Sequence, residues 1–278
     1  MKLLPVKALS EFEEDMLKRN FSPETVRLYR SYILNFFRFL LNKEDHDLRA
    51  VTREDVLKYR QWMDDYRTRK GRPYSHGSKE LSVKCLKYFF KYLKRKNLIL
   101  IDPSQALPHL KTIKSFPRCI LTRKEMTKIL TRPNLKTKIG FRDRAIMETL
   151  YSTAIRNKEL LNLTIYDLDL EHGMVRVNQG KGKKDRVVPV GKTAVNYLKE
   201  YLSEIRPKIL KENFCKKLFI NQYGKPLTGA DLAKQIKRYS KMANLDKPVT
   251  PHAFRHTCAT EMLRGGSSIR YVQAMLGH

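Results

Sequence analysis

The amino-acid sequence predicts a mainly α protein with a small β-sheet, built as a helical N-terminal domain followed by a mixed α/β domain. Three observations predict it. Apolar residues recur every three and four positions through much of the N-terminal part, the period that gathers them on one helical face. Pro103, Pro108 and Pro117, interspersed with Lys111, Lys114 and Arg118, then break the period, as an extended basic linker does. Beyond it, two valine-rich segments flank a Gly- and Lys-rich turn within an otherwise helical pattern, the mark of a single hairpin. The boundaries that follow are 1–108 for the helical domain, 109–120 for the linker and 121–278 for the second domain.

Ser22, Pro23 and Glu24 form a helix start: a capping side chain, a proline at the first helical position and an acid near the positive helix end. Val26, Tyr29, Ile33, Phe36 and Leu40 supply its apolar face. Thr52 with Asp55 three residues later is a variant capping box, opening a helix through Val56, Tyr59 and Met63. A third helix is expected from Ser78 to Lys96. There Val83, Leu86, Phe90 and Leu93 make an apolar stripe, bordered by a second stripe of Lys84, Lys87, Lys91 and Lys94. Such a flank suits a phosphate backbone, or is simply a solvated face.

Thr122 and Glu125 form a capping box at the start of the second domain. Helices are expected over Phe141–Ser152 and Arg156–Asn162, then strands over Met174–Asn178 and Arg186–Val190, where valines favour extended structure. Gly180-Lys181-Gly182-Lys183-Lys184 lies between the strands. Further helices are expected over Thr193–Ile205, Gly229–Ala243, His252–Arg264 and Ser268–Leu276. In the Gly229–Ala243 segment, Lys234, Lys237, Arg238 and Lys241 share a face suited to groove or phosphate contact.

Lys and Arg total 57 against 28 Asp and Glu, a formal charge of +29 with a pI near 10.0. Up to Leu110 there are 23 basic against 14 acidic residues, net +9, which leaves 34 against 14, net +20, for the rest. Two positive domains joined by a basic linker can face a duplex from two sides, so double-stranded DNA is the expected partner. Cys85, Cys119, Cys215 and Cys258 are too far apart for a metal knuckle and point to free thiols in a reducing compartment. The apolar stretch Leu3–Val6 is short and closely followed by Glu11, Glu13, Glu14 and Asp15, unlike a signal peptide. No run reaches membrane-spanning length. A cytoplasmic location without membrane association is expected.

Four segments bear on chemistry: Thr153-Ala154-Ile155-Arg156-Asn157-Lys158-Glu159-Leu160, the Gly180–Pro189 hairpin, Pro251-His252-Ala253-Phe254-Arg255-His256-Thr257, and Val272-Gln273-Ala274-Met275-Leu276-Gly277-His278. Together they resemble the catalytic signature of the tyrosine recombinase and phage integrase family, most closely its Xer-like members. The resemblance covers nearly the whole chain, and Pro251–His278 is its most specific part. It implies site-specific DNA recombination or integration through a phosphotyrosyl intermediate, by a core-binding domain and a catalytic domain, with no metal and no cofactor. A homo- or hetero-tetramer on DNA is implied for the complete protein.

Residue by residue, the resemblance makes Arg156 and Arg255 the guanidinium groups that meet the non-bridging oxygens. Their planar, permanently charged donors match a phosphate with paired hydrogen bonds. His252, three residues before Arg255 and on the same helical face, is implied to bond the phosphate and assist proton transfer. His278 matches a position supporting the same oxygens. The leaving 5′ oxygen needs a proton, for which Lys181 is the best match by motif position, with Lys183 and Lys184 also in reach. Glu159 matches an acidic position that orients the site; otherwise it is an ordinary helical ion-pair partner.

Two departures stand out. The family's usual Thr-Gly-Leu-Arg turn is Thr153-Ala154-Ile155-Arg156 here, which is expected to stiffen or reshape it. The family's nucleophilic tyrosine follows the position of His278 after a short further segment. The residues in hand are therefore expected to bind DNA without cleaving it. Tyr271 precedes the motif, where the family has no nucleophile. The alternative reading is a truncated DNA-binding or regulatory protein without strand-cleavage activity.

Overall fold

Aromatic side chains at helical spacing build the first of two compact units, Met1–Lys114; the second is Ser115–His278. The computed structural model describes residues 3–40, 47–68, 71–108, 119–178, 185–210 and 214–277. In the first unit, helix α1 (Pro5–Lys18) buries Ala8, Leu9, Phe12 and Met16. Helix α2 (Pro23–Leu40) starts where Ser22 Oγ accepts the Thr25 N–H at 3.2 Å and buries Val26, Tyr29, Ile33, Phe36 and Phe37. Helix α3 (Arg53–Asp65) carries the complete Thr52–Asp55 capping box. Helix α4 (His76–Arg95) starts two residues before the expected Ser78, because Ser75 is the cap and accepts the Ser78 N–H.

Edge-to-face rings join these helices. Phe12 meets Phe89 at 5.3 Å between centroids, and Phe36 meets Tyr59 at 5.0 Å and Phe90 at 5.8 Å, each pair worth about 1 kcal/mol beyond its buried area. Most of the expected linker, residues 109–118, lies outside the described residues.

The second unit is organised around helix α6 (Lys138–Thr153), which follows helix α5 (Arg123–Leu130) and its Thr122–Glu125 capping box. Helix α6 is buried on most sides, down to Arg142, Asp143 and Glu148. Arg142 donates to Asp143 Oδ1 from Nε at 3.0 Å and Nη2 at 2.6 Å, so two charges are buried as a pair. Helix α7 (Asn157–Asn162) follows after a sharp turn at Ala154.

A three-stranded antiparallel sheet comes next, ordered β1 (Leu168–Asp169), β2 (Met174–Val177), β3 (Arg186–Pro189). In its register Val175 faces Val188 and Val177 faces Arg186. Val175, Val177 and Val188 point into the core while Val187 points out, the period-two alternation of a sheet with one buried face. The two expected strands appear within a residue; β1 is additional. The hairpin turn 179–184 lies outside the described residues.

Helix α8 (Lys192–Glu200) passes through one π turn, Tyr201–Ile205, into α9 (Arg206–Leu210). The wide turn brings residues five apart onto one face. Tyr201 Oη and Arg206 Nε both donate to Leu218 O at 3.2 Å. Helix α10 (Gly229–Met242) has a Thr228–Asp231 capping box. Helices α11 (Pro251–Arg264) and α12 (Ile269–Leu276) complete the unit, and Gly277 ends α12 at φ +68°, a left-handed stop that favours glycine. Among the described residues no helix is long and apolar enough to cross a membrane.

Candidate active site

The site begins at the turn after α6. Ala154 takes φ +49°, ψ +23° as the C-terminal cap, so the chain keeps a left-handed turn without a glycine, at about 1–2 kcal/mol. The N–H of Ala154 donates to Leu150 O at 3.1 Å, and its carbonyl accepts Arg255 Nη1 at 2.6 Å. Arg255, buried on α11 at 8% exposure, thus holds the turn that delivers Arg156.

Arg156 is the N-cap residue of α7, and Glu159 at the third helical position reaches back to it. Glu159 Oε2 accepts the Arg156 backbone N–H at 2.8 Å, while Oε1 accepts Arg156 Nη1 at 2.8 Å. A second guanidinium meets the same carboxylate. Arg186, the first residue of β3, donates Nη1 to Oε1 at 3.1 Å and Nη2 to Oε2 at 2.7 Å.

All three arginines converge on the C-terminal end of α12. Arg186 Nε donates to Met275 O at 2.9 Å, Arg255 Nη2 to Leu276 O at 2.6 Å, and Arg156 Nη2 to Gly277 O at 3.1 Å. The last carbonyls of a helix accept no hydrogen bond within it and sit at the negative end of its dipole. Three consecutive carbonyls therefore position three cations.

Among the described residues, one carboxylate balances these three guanidiniums. Burial raises the Glu159 pKa, but hydrogen bonds from the Arg186 side chain and from the Arg156 backbone and side chain outweigh it and bring it to about 2. Burial lowers the Arg255 pKa to about 10, with the nearby positive charges of Arg156 and Arg186 adding to the effect and Glu159 opposing it. Arg255 stays charged at neutral pH, so the cluster carries net positive charge in a partly buried setting. Such a site attracts an anion, and planar donors suit a phosphate.

His252 stands exposed on the first turn of α11, three residues before Arg255. One turn on, His256 has a lowered pKa, from burial first and then from His252 and Arg255. Tyr271 is about half exposed on α12, its N–H capped by Ser268. Lys181, Lys183, Lys184 and His278 lie outside the described residues.

The two basic faces differ in freedom. On α4, Lys84, Lys91 and Lys94 are exposed and Lys87 half-buried, beside a stripe of Val83, Leu86, Phe90 and Leu93 that is fully inside. On α10, Lys234, Lys237, Arg238 and Lys241 line a cavity of about 490 Å³ with Gln222 and Tyr223. Arg238 is anchored there: its Nη2 donates to Asp143 Oδ2 at 3.2 Å and its guanidinium lies 4.5 Å from the Tyr239 ring. Tyr239 Oη donates to the same carboxylate at 2.8 Å. Burial, then the Asp143 charge, pushes the Tyr239 phenol up to about 12, so it remains a donor.

Sequence reasoning missed Arg186 and the Asp143 anchor. Only the proximity of Arg186 to the lysine-rich turn hinted at a role; nothing in the spacing pairs it with Glu159.

Comparison with known proteins gives the family of the chain. The sequence profile of the phage integrase family matches residues 120–278, and that of the phage integrase N-terminal SAM-like domain matches residues 9–97. The chain is 38% identical over 265 residues to tyrosine recombinase XerC 2 of Ralstonia nicotianae, spanning 95% of this chain and 76% of that protein. It is 33% identical over 263 residues to tyrosine recombinase XerD of Halalkalibacterium halodurans, spanning 94% and 85%. The crystal structure of XerA recombinase aligns with 31% identity and a TM-score of 0.53, covering 99% of this chain and 90% of that one. A lambda integrase tetramer bound to a Holliday junction aligns with a TM-score of 0.76 at 20% identity, covering 100% and 75%, a likeness of fold. The chain belongs to the phage integrase family, in its Xer-like tyrosine recombinase branch.

Proposed function

We propose that this chain binds duplex DNA and holds one phosphodiester for site-specific recombination, with Arg156 and Arg255 as the groups that neutralise its non-bridging oxygens. The observation that carries the reading is the convergence of three guanidiniums on one helix end, two of them also held by one carboxylate. Attack on phosphorus builds negative charge on those oxygens, and a preorganised donor aimed at developing charge is worth roughly 10²–10³ in rate. His252 on the same helix and His278 next to Gly277 would bond the same oxygens. Lys181 on the hairpin would protonate the leaving 5′ oxygen. Glu159 orients Arg156. Attack by a tyrosine would form a 3′ phosphotyrosyl link that conserves the bond energy, and a 5′ hydroxyl from a partner duplex would reseal it.

Lys84, Lys87, Lys91 and Lys94 on α4 and Lys234, Lys237, Arg238 and Lys241 on α10 are proposed contacts to the duplex. The net charge of +29 supports that partner. A tetramer on DNA, in a cytoplasmic setting, follows from the same reading, as the lambda integrase tetramer on a Holliday junction illustrates for its fold. The test is selection of bound sites from a random duplex pool. Enrichment of an inverted repeat is expected. The preference should persist when Arg156→Gln and Arg255→Gln are combined, because base edges and not phosphates specify sequence. Recovery of no preferred sequence would refute site-specific action and leave a general DNA-coating protein.

A further inference from the structure

Arg186 is given no role by the family resemblance, yet all three of its side-chain nitrogens donate hydrogen bonds. Its Nη1 and Nη2 span both oxygens of Glu159, 27 residues upstream, and its Nε donates to Met275 O, 89 residues downstream. Its side chain is 13% exposed, against 23% for Arg156. Gly277 closes the space behind it: a Cβ at that position would lie 3.0 Å from Arg186 Nη1 and 3.1 Å from its Cζ. The fork is thus directed into the protein.

A carboxylate facing a single arginine can take a two-pronged geometry that occupies two of the guanidinium nitrogens. Glu159 does not do so with Arg156. Arg186 bonds both carboxylate oxygens, and Oε2 also holds the Arg156 backbone N–H, so the Arg156 side chain reaches Glu159 through Nη1 alone. Its Nη2 is left to meet the Gly277 carbonyl at the mouth of the cluster.

We infer that Arg186 is a positioning residue: by holding both oxygens of Glu159 and the end of α12, it keeps Arg156 from a two-pronged pairing and leaves that guanidinium available to the phosphate. This rests on the proposed role of Arg156 and Arg255 in phosphate binding. A lysine in its place keeps the charge but presents a point donor that cannot span the carboxylate and reach Met275 O together. Glu159 is then free to capture Arg156.

The experiment uses the full chain with ¹⁵N-labelled arginine, titrated with inorganic phosphate at low ionic strength, reading the Nε–H signals of Arg156 and Arg255 by NMR. In the native chain both signals are expected to shift saturably. Arg186→Lys should keep the backbone amide spectrum of α6 and α10 while weakening phosphate binding roughly tenfold, the low end of what loss of an outer orienting partner costs at metal sites. Combining it with Arg156→Lys should weaken binding no further than Arg156→Lys alone, because both changes act through one guanidinium. Native phosphate affinity in Arg186→Lys, or additive losses in the double variant, would overturn the inference. If the native chain shows no phosphate response at Arg156 or Arg255, the reading of the site fails, and this inference with it.

Discussion

Replacing Glu159 by glutamine removes the negative charge that balances three guanidiniums, and the structure sets both the size and the pH dependence of the effect. The folded carboxyl sits at about 2 against an ordinary 4.5, a difference equivalent to about 3 kcal/mol. The geometry leads to a similar figure: leaving a buried charge without its partner costs about 3–5 kcal/mol, and Glu159 is 6% exposed. Because the folded value lies below the unfolded one, the stabilisation is complete above pH 4.5, declines as the pH falls from about 4.5 to about 2, and is absent below that. Glu159→Gln lacks it at every pH.

The native protein should therefore exceed the variant by about 3 kcal/mol at pH 7, and the gap should close as the pH approaches 2. Amide hydrogen exchange at Val175 and Val188, core residues of the same unit, measures this without requiring the two units to unfold together. A gap that stays constant from pH 7 to pH 3 would refute the account, since the loss would then come from shape and not from the charge on Glu159.

Three further outcomes follow. Ala154→Val should cost at least ~2 kcal/mol in urea unfolding, because a branched Cβ suits a left-handed residue poorly and Ala154 is fully buried; Ala154→Gly should change stability by less than ~1 kcal/mol, the relieved strain offsetting one lost methyl. Phe36→Ala should cost about 3–5 kcal/mol in the first unit, where Phe36 packs against Tyr59 and Phe90; fluorescence of Trp62, the sole tryptophan, reports it, and a loss under ~1 kcal/mol would contradict the packing. Charge reversal at Lys87 and Lys91 should weaken duplex binding and lower the salt slope by about 0.9 for each phosphate no longer neutralised, measured by fluorescence anisotropy across salt concentrations. Unchanged affinity and slope would remove α4 from the interface.

Much of this protein is legible in its sequence because the responsible interactions are local. The Thr52–Asp55 and Thr122–Glu125 boxes join residues three apart, and the Gly277 stop is a property of one backbone dihedral. The Arg156–Glu159 pair also spans three positions, so its partnership was visible although its wider role was not. The extended preference of valine located β2 and β3, whereas β1 is two residues long and owes its existence to pairing with β2. The π turn at Tyr201–Ile205 likewise answers to a distant carbonyl, Leu218 O.

The site depends on the same distinction. Its residue types, two arginines and two histidines with an acid and a lysine-rich turn, are written in short motifs that the sequence alone determined. What gathers the arginines and the acid is decided only by the tertiary structure: Arg255 on the Ala154 carbonyl, Arg186 on Glu159, and three carbonyls at the end of α12 fixing three guanidiniums. Backbone carbonyls are the same at every residue and leave no trace in the sequence, so packing alone selects which of them an arginine meets.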